Sequence, residues 1–127
     1  MILPETRLRP WRVISSATTY SDNWLTVRSD DCLTPEGVEV SPYHVIQYPD
    51  WVNVVALTEA HQLLLVRQYR HGRGEVSLGL VSGGIDPEDD AAADGREVAA
   101  ARRELREETG FEAATVLTLL EASPNPA

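Results

Sequence analysis

The sequence predicts a mixed α/β chain of the α+β kind, with short strands gathered toward the front and one amphipathic helix behind them. From Trp11 to about Val81, apolar and β-branched stretches alternate with turn residues. A helical pattern follows over about Gly95 to Thr109, opened by an acidic turn and closed by Gly110. With 127 residues, 43% of them hydrophobic and 24% charged, the chain has the size and balance of one globular domain.

The strand candidates are Arg12 to Thr19, Leu25 to Asp30, Val38 to Tyr48, Val52 to Thr58, Leu63 to Tyr69 and Val76 to Val81. Between the second and third, Thr34-Pro35-Glu36-Gly37 suits a type I turn, so two antiparallel strands are expected to flank it. Ile85 to Asp94 reads as an exposed acidic loop. Asp94 and Glu97 have the spacing of a capping box at the head of the helix, and Phe111 can fold back behind a left-handed Gly110. Thr115 to Leu120 reads as a last strand, and Ser123 to Ala127 as loop.

Twenty acidic residues oppose eleven basic ones, giving a net charge of -9. That field argues against nucleic acid or an acidic membrane as a partner and is compatible with cations. All eleven basic residues are arginine, which removes Schiff-base lysine chemistry and any lysine-dependent phosphate loop. Nucleotide bias and adaptation to salt both account for a lysine-free acidic chain. The single cysteine, Cys32, excludes an intrachain disulfide and reads as a buried thiol. With no apolar leader and no run near the roughly 18 residues of a membrane span, the expected location is the cytoplasm.

The chemistry concentrates on the helix. Val98, Ala101, Leu105 and Thr109 form its narrow core stripe, and Glu104, Glu107 and Glu108 lie on a neighbouring arc. Carboxylates at this spacing repel unless something offsets them, as a divalent cation or a paired arginine would. Arg103 can pair with Glu107 at i+4 and orient it. A solvated, salt-bridged helix face is the alternative reading of the same residues.

Arg103-Glu104-Leu105-Arg106-Glu107-Glu108-Thr109-Gly110-Phe111 resembles, at every specified position, the REUxEExGU half of the Nudix box, where U is apolar. Leu80-Val81-Ser82-Gly83-Gly84-Ile85-Asp86 is similar to the strand and glycine loop that open the box. Val66-Arg67-Gln68-Tyr69-Arg70-His71-Gly72 resembles a segment of the ADP-ribose and nucleotide-sugar pyrophosphatase branch, and Asp50 to Leu57 fits its sheet. The resemblance runs from about Trp11 onward. It implies an α/β/α sandwich around a mixed sheet, with N-terminal antiparallel strands over about residues 1–48 and a Nudix core over 49–127.

It also implies Mg²⁺- or Mn²⁺-dependent attack of water on the diphosphate of ADP-ribose or a related nucleotide sugar. Clustered carboxylates are the hard-oxygen ligands such cations prefer. Carried over by position, Glu104, Glu107, Glu108 and the Ser82 carbonyl form the metal site, and Glu107 and Glu108 are the catalytic residues. Gly83 and Gly84 let substrate approach, and Arg70 is the candidate diphosphate contact, with a surface salt bridge as its alternative. Trp11, Trp24 and Trp51 are expected as core or dimer contacts, with stacking on a base as the alternative. The resemblance further implies a homodimer.

Three departures accompany it. The box asks for a glycine, five residues, a glutamate, seven residues and then Arg-Glu; eight residues before Arg103 stands Gly95. Eighteen residues separate Gly84 from Arg103 where the pattern allows thirteen, and neither Glu88 nor Glu97 satisfies both spacings. Gly79 stands where the branch often has a glutamate, so two acids expected near the metals are absent. The strands and second long helix that follow in the resembled fold lie beyond Ala127, so a chain lacking its C-terminal part, or one completed by oligomerisation, is expected. A weakly active or inactive nucleotide-binding module is the alternative function.

Overall fold

The computed structural model describes residues 9–123, which form two compact units divided between Pro49 and Asp50. The first is an antiparallel meander of β1 (Arg12–Ser21), β2 (Thr26–Leu33) and β3 (Glu39–Gln47), in the order β1-β2-β3. The turn into β3 forms as its composition predicts, with the Gly37 N–H donating to the Thr34 carbonyl at 3.0 Å. Between β1 and β2, the Asp22 carboxylate accepts from the N–H groups of Trp24 and Leu25 at 2.7 and 2.8 Å. This local side-chain bond supplies what a regular strand would otherwise require of a neighbour.

Central β2 carries the burial of this unit. Cys32 is buried with a free thiol, and Asp30 is 2% exposed. The Asp30 carboxylate is satisfied by Ser16 Oγ at 2.6 Å and Arg28 Nε at 2.9 Å, which keeps a buried charge from being stranded. By contrast β1 is exposed along its whole length, with Val13, Ile14 and Tyr20 open.

In the second unit β4 (Trp51–Val54) pairs antiparallel with β7 (Val81–Gly84), and β5 (Val66–Arg70) pairs antiparallel with β6 (Glu75–Gly79). A 3₁₀ turn, Pro87–Ala91, leads toward the single long helix α1 (Arg96–Thr109). Ala100, Ala101 and Leu105 are buried where α1 lies against β7 and β4, and Val81 is the fully buried residue of the strand beneath. The two small alanines let helix and sheet approach closely while Leu105 supplies apolar area. Gly110 is left-handed (φ 76°), its N–H donating to the Arg106 carbonyl at 2.8 Å, so the helix stops where the glycine predicts.

Several expectations are corrected. Val76 to Val81 is two strands, because at Leu80 the chain leaves β5 and takes up β4 as partner. Every strand pairing among the described residues is antiparallel, so the mixed sheet is not seen. A parallel pair needs a crossover, and no described strand follows α1. Thr115 to Leu120 finds no strand partner and stays irregular, with Leu117, Leu119 and Leu120 exposed. Phe111 is exposed rather than folded back on the helix. Gly95 is the N-cap of α1 and no side chain caps it, so the Asp94–Glu97 box does not form. Among the described residues no helix is long and apolar enough to cross a membrane.

Candidate functional site

The site is built where α1 crosses β7. Gly83 has no side chain, and its space is filled by a carboxylate: an ideal Cβ there would stand 1.9 Å from Glu104 Cδ and 2.0 Å from its Oε1. A glycine pair predicted as loop is therefore strand, with one member required by the close approach of Glu104. One helical turn on, the Glu108 carboxylate receives the Ser82 N–H at 3.3 Å on Oε2, and the Gln68 amide of β5 on Oε1. Glu104 and Glu108 are thus each fixed against the sheet by protein groups. The C=O and N–H of a strand residue point to the same side, so the Ser82 carbonyl faces the Glu108 side of β7.

Arg103 ties the remaining acids together. It donates to Asp89 Oδ2 at 3.0 Å, to Glu104 Oε1 at 2.6 Å, to Glu107 Oε2 at 3.4 Å and to the Gly84 carbonyl at 2.7 Å, and lies 3.2 Å from Asp86. The expected i+4 pair with Glu107 forms, but it is the longest of these contacts. Asp89 is the stronger anchor. Hydrogen bonding to Asp89 above all, then to Glu104, raises the Arg103 pKa further, so its charge is permanent.

Asp89 corrects the reading of the loop. It is 6% exposed, and the Asp86 N–H donates to its Oδ2 at 2.9 Å. Counted from Gly83 instead of Gly84, it stands after five intervening residues, the interval the box requires, whereas Glu88 and Glu97 do not reach Arg103. An aspartate thus takes the Arg103 contact, and the extra residues of the loop lie after it. Sequence reasoning missed it by looking for a glutamate and by counting back from Arg103 through the lengthened loop. It also missed the part played by Gln68, whose only signal is its place in the segment Arg67-Gln68-Tyr69-Arg70.

Arg103, and then the Asp86 N–H, hold the Asp89 carboxyl below the ordinary aspartate range. A depressed folded-state pKa contributes stability that is present above the unfolded value near 4 and is lost as pH falls through the folded value. Thermal melts between about pH 5 and about pH 2 should therefore show a steeper acid loss in the wild type than in Asp89→Asn. Equal slopes in the two proteins would remove Asp89 from this role.

The other predicted residues fall as follows. Glu107 is half exposed, its side chain tied to Arg103. The Gly84 carbonyl accepts from Arg103, and the space where a side chain would stand on Gly84 is open. Arg70 ends β5, exposed and with no ion-pair partner among the described residues. Strand alternation puts it on the same face of β5 as Gln68. Gly79 ends β6 opposite Val66, with open space around it. Trp24 is 77% exposed, and Trp11 meets Tyr43 edge to face at 5.7 Å.

Among the described residues no group of three His, Cys, Asp or Glu side chains converges as a metal site. The donor chemistry nevertheless suits a hard cation. Glu104 and Glu108 are carboxylates on one side of α1, Glu104 is seated in the space that Gly83 leaves, and the Ser82 carbonyl lies on the Glu108 side.

Comparisons with known proteins bear on the family. Residues 47–126 match the family model of the NUDIX domain, and residues 11–46 match that of the nucleoside diphosphate sugar hydrolase N-terminal domain. A solved structure described as an ADP compounds hydrolase is 31% identical, with a TM-score of 0.68 over 85% of this chain and 55% of its own. The methanol dehydrogenase activator of Bacillus methanolicus is 25% identical over 115 residues, 91% of this chain and 58% of the relative. The chain thus spans a little over half the length of each. The match over residues 47–126 takes in the whole box helix and the Gly83 strand beneath it, and the chain belongs to the Nudix family.

Proposed function

We propose that the protein hydrolyses the diphosphate bond of ADP-ribose or a related nucleotide sugar with Mg²⁺ or Mn²⁺. The observation that carries this reading is the seating of Glu104 against Gly83 and of Glu108 on the Ser82 N–H, one helical turn apart. Glu104 and Glu108, with Glu107 and the Ser82 carbonyl, would hold the cation, whose chemistry is to offset phosphate charge and activate water. Arg103 screens the crowded carboxylates and keeps Glu104 in place. Arg70 is free to offer two parallel N–H groups to phosphate oxygens, and Gly83 keeps the strand surface low where substrate approaches. Glu107 and Glu108 are the catalytic carboxylates of this reading.

Incubation with Mg²⁺ and a panel of nucleoside diphosphate-linked sugars should release a nucleoside monophosphate, and a chelator should stop it. A second reading, a module that binds nucleotide and turns it over weakly, draws on the carboxylates being directed to protein donors instead of converging. Calorimetry showing ligand binding without turnover would favour it, and rapid hydrolysis would exclude it.

A homodimer is the matching assembly, since Val13, Ile14 and Tyr20 of β1 stand exposed. Sedimentation velocity should give twice the chain mass, and a monomer at micromolar concentration would refute the pairing. The substrate class and the free, buried Cys32 fit the cytoplasm.

A further inference from the structure

Gln68 carries an unmet hydrogen-bonding demand at the edge of this site. Its side-chain amide nitrogen donates to Glu108, while its Oε1 is buried and accepts from nothing among the described residues. Turning the amide over would set its oxygen against the carboxylate, so the bond to Glu108 fixes which end is which. Buried acceptors are ordinarily satisfied, and one left open beside a carboxylate marks a place where a donor is expected. The bond also joins β5 to α1 across forty residues of sequence, which ties the Arg70-bearing strand to the carboxylates.

We propose that Gln68 is a positioning residue for divalent-cation binding. Its amide nitrogen fixes the rotation of the Glu108 carboxylate, and its buried, unpartnered Oε1 accepts a hydrogen bond from a water that the cation brings into the site. This rests on the reading of Glu104 and Glu108 as cation ligands. Mg²⁺ and Mn²⁺ suit the role because hard cations of this size keep several waters, which are donors. Partners that orient a metal ligand are worth about 10–100-fold in metal affinity.

The test is Mn²⁺ affinity of the full chain, read from the free-Mn²⁺ electron paramagnetic resonance signal, for wild type, Gln68→Met, Gln68→Asn and Glu108→Gln. Gln68→Met keeps the volume and removes both donor and acceptor. It should bind Mn²⁺ about 10–100-fold more weakly, with a circular dichroism spectrum like the wild type. Activity lost in this variant should return at raised Mn²⁺, which a merely structural defect would not allow.

Gln68→Asn, one methylene too short to reach Glu108, serves if Gln68→Met does not fold, and should also weaken binding. Wild-type Mn²⁺ affinity in the folded Gln68 variants, with loss in Glu108→Gln, would overturn the role of Gln68 and leave the cation reading intact. Wild-type affinity in Glu108→Gln, or no Mn²⁺ binding by the wild type, would overturn both.

Discussion

Glu108→Gln should lower kcat for nucleotide-sugar hydrolysis by about 10²–10⁴-fold, the range for loss of a positioned catalytic carboxylate. Both oxygens of Glu108 accept hydrogen bonds, one from Gln68 and one from the Ser82 N–H. An amide would turn its NH₂ against one of these donors, so a modest stability loss of about 1–3 kcal/mol should accompany the change. The two effects separate cleanly, because a folded variant can be assayed well below its melting temperature. Glu107→Gln is the internal comparison: that side chain is half exposed and tied to Arg103, so a smaller loss is expected. Wild-type turnover by Glu108→Gln would end the assignment.

Gly83→Ala should reduce activity by about 10²-fold while leaving the fold in place. The new methyl would occupy the space of the Glu104 carboxylate, within 2.2 Å of all three of its end atoms. That carboxylate is the far end of a flexible side chain, so it is the part that moves. A displacement of about 1 Å at a reacting centre is worth on the order of 10²-fold in rate. Overpacking adds a stability cost of about 1–3 kcal/mol, measurable by denaturant titration. Gly84→Ala is the control, since nothing lies within 4 Å of its added methyl. If both alanine variants keep full activity, the seat has no bearing on catalysis.

Much of this was legible beforehand where one local rule acts alone. The helix and its stop at Gly110 follow from 3.6-residue periodicity and a left-handed C′ position, and the meander from apolar runs broken by turn residues. What was hidden depends on contacts distant in sequence. No periodicity registers a change of partner at Leu80. The apolar and β-branched run at Thr115 to Leu120 looks like a strand, yet a strand exists only with an edge to pair with. Gly83 and Gly84 carry a turn signal, and only the carboxylate lying over Gly83 shows why glycine sits in a strand. The reciprocal acidic cap belongs to Asp86 and Asp89, eight residues before the predicted pair, because the 3₁₀ turn at Pro87 begins there.

The position of Asp89 also bears on how this protein can be altered. Its bond to Arg103 closes the link between loop and helix before the surplus residues begin, so the residues after the 3₁₀ turn, Ala92 to Asp94, return to the helix by a separate contact, Asp94 with Arg102 at 3.7 Å. Peptide tags or fluorescent labels should be tolerated within that stretch. Moving Asp89 by one residue, in contrast, would break the register between glycine strand and box helix.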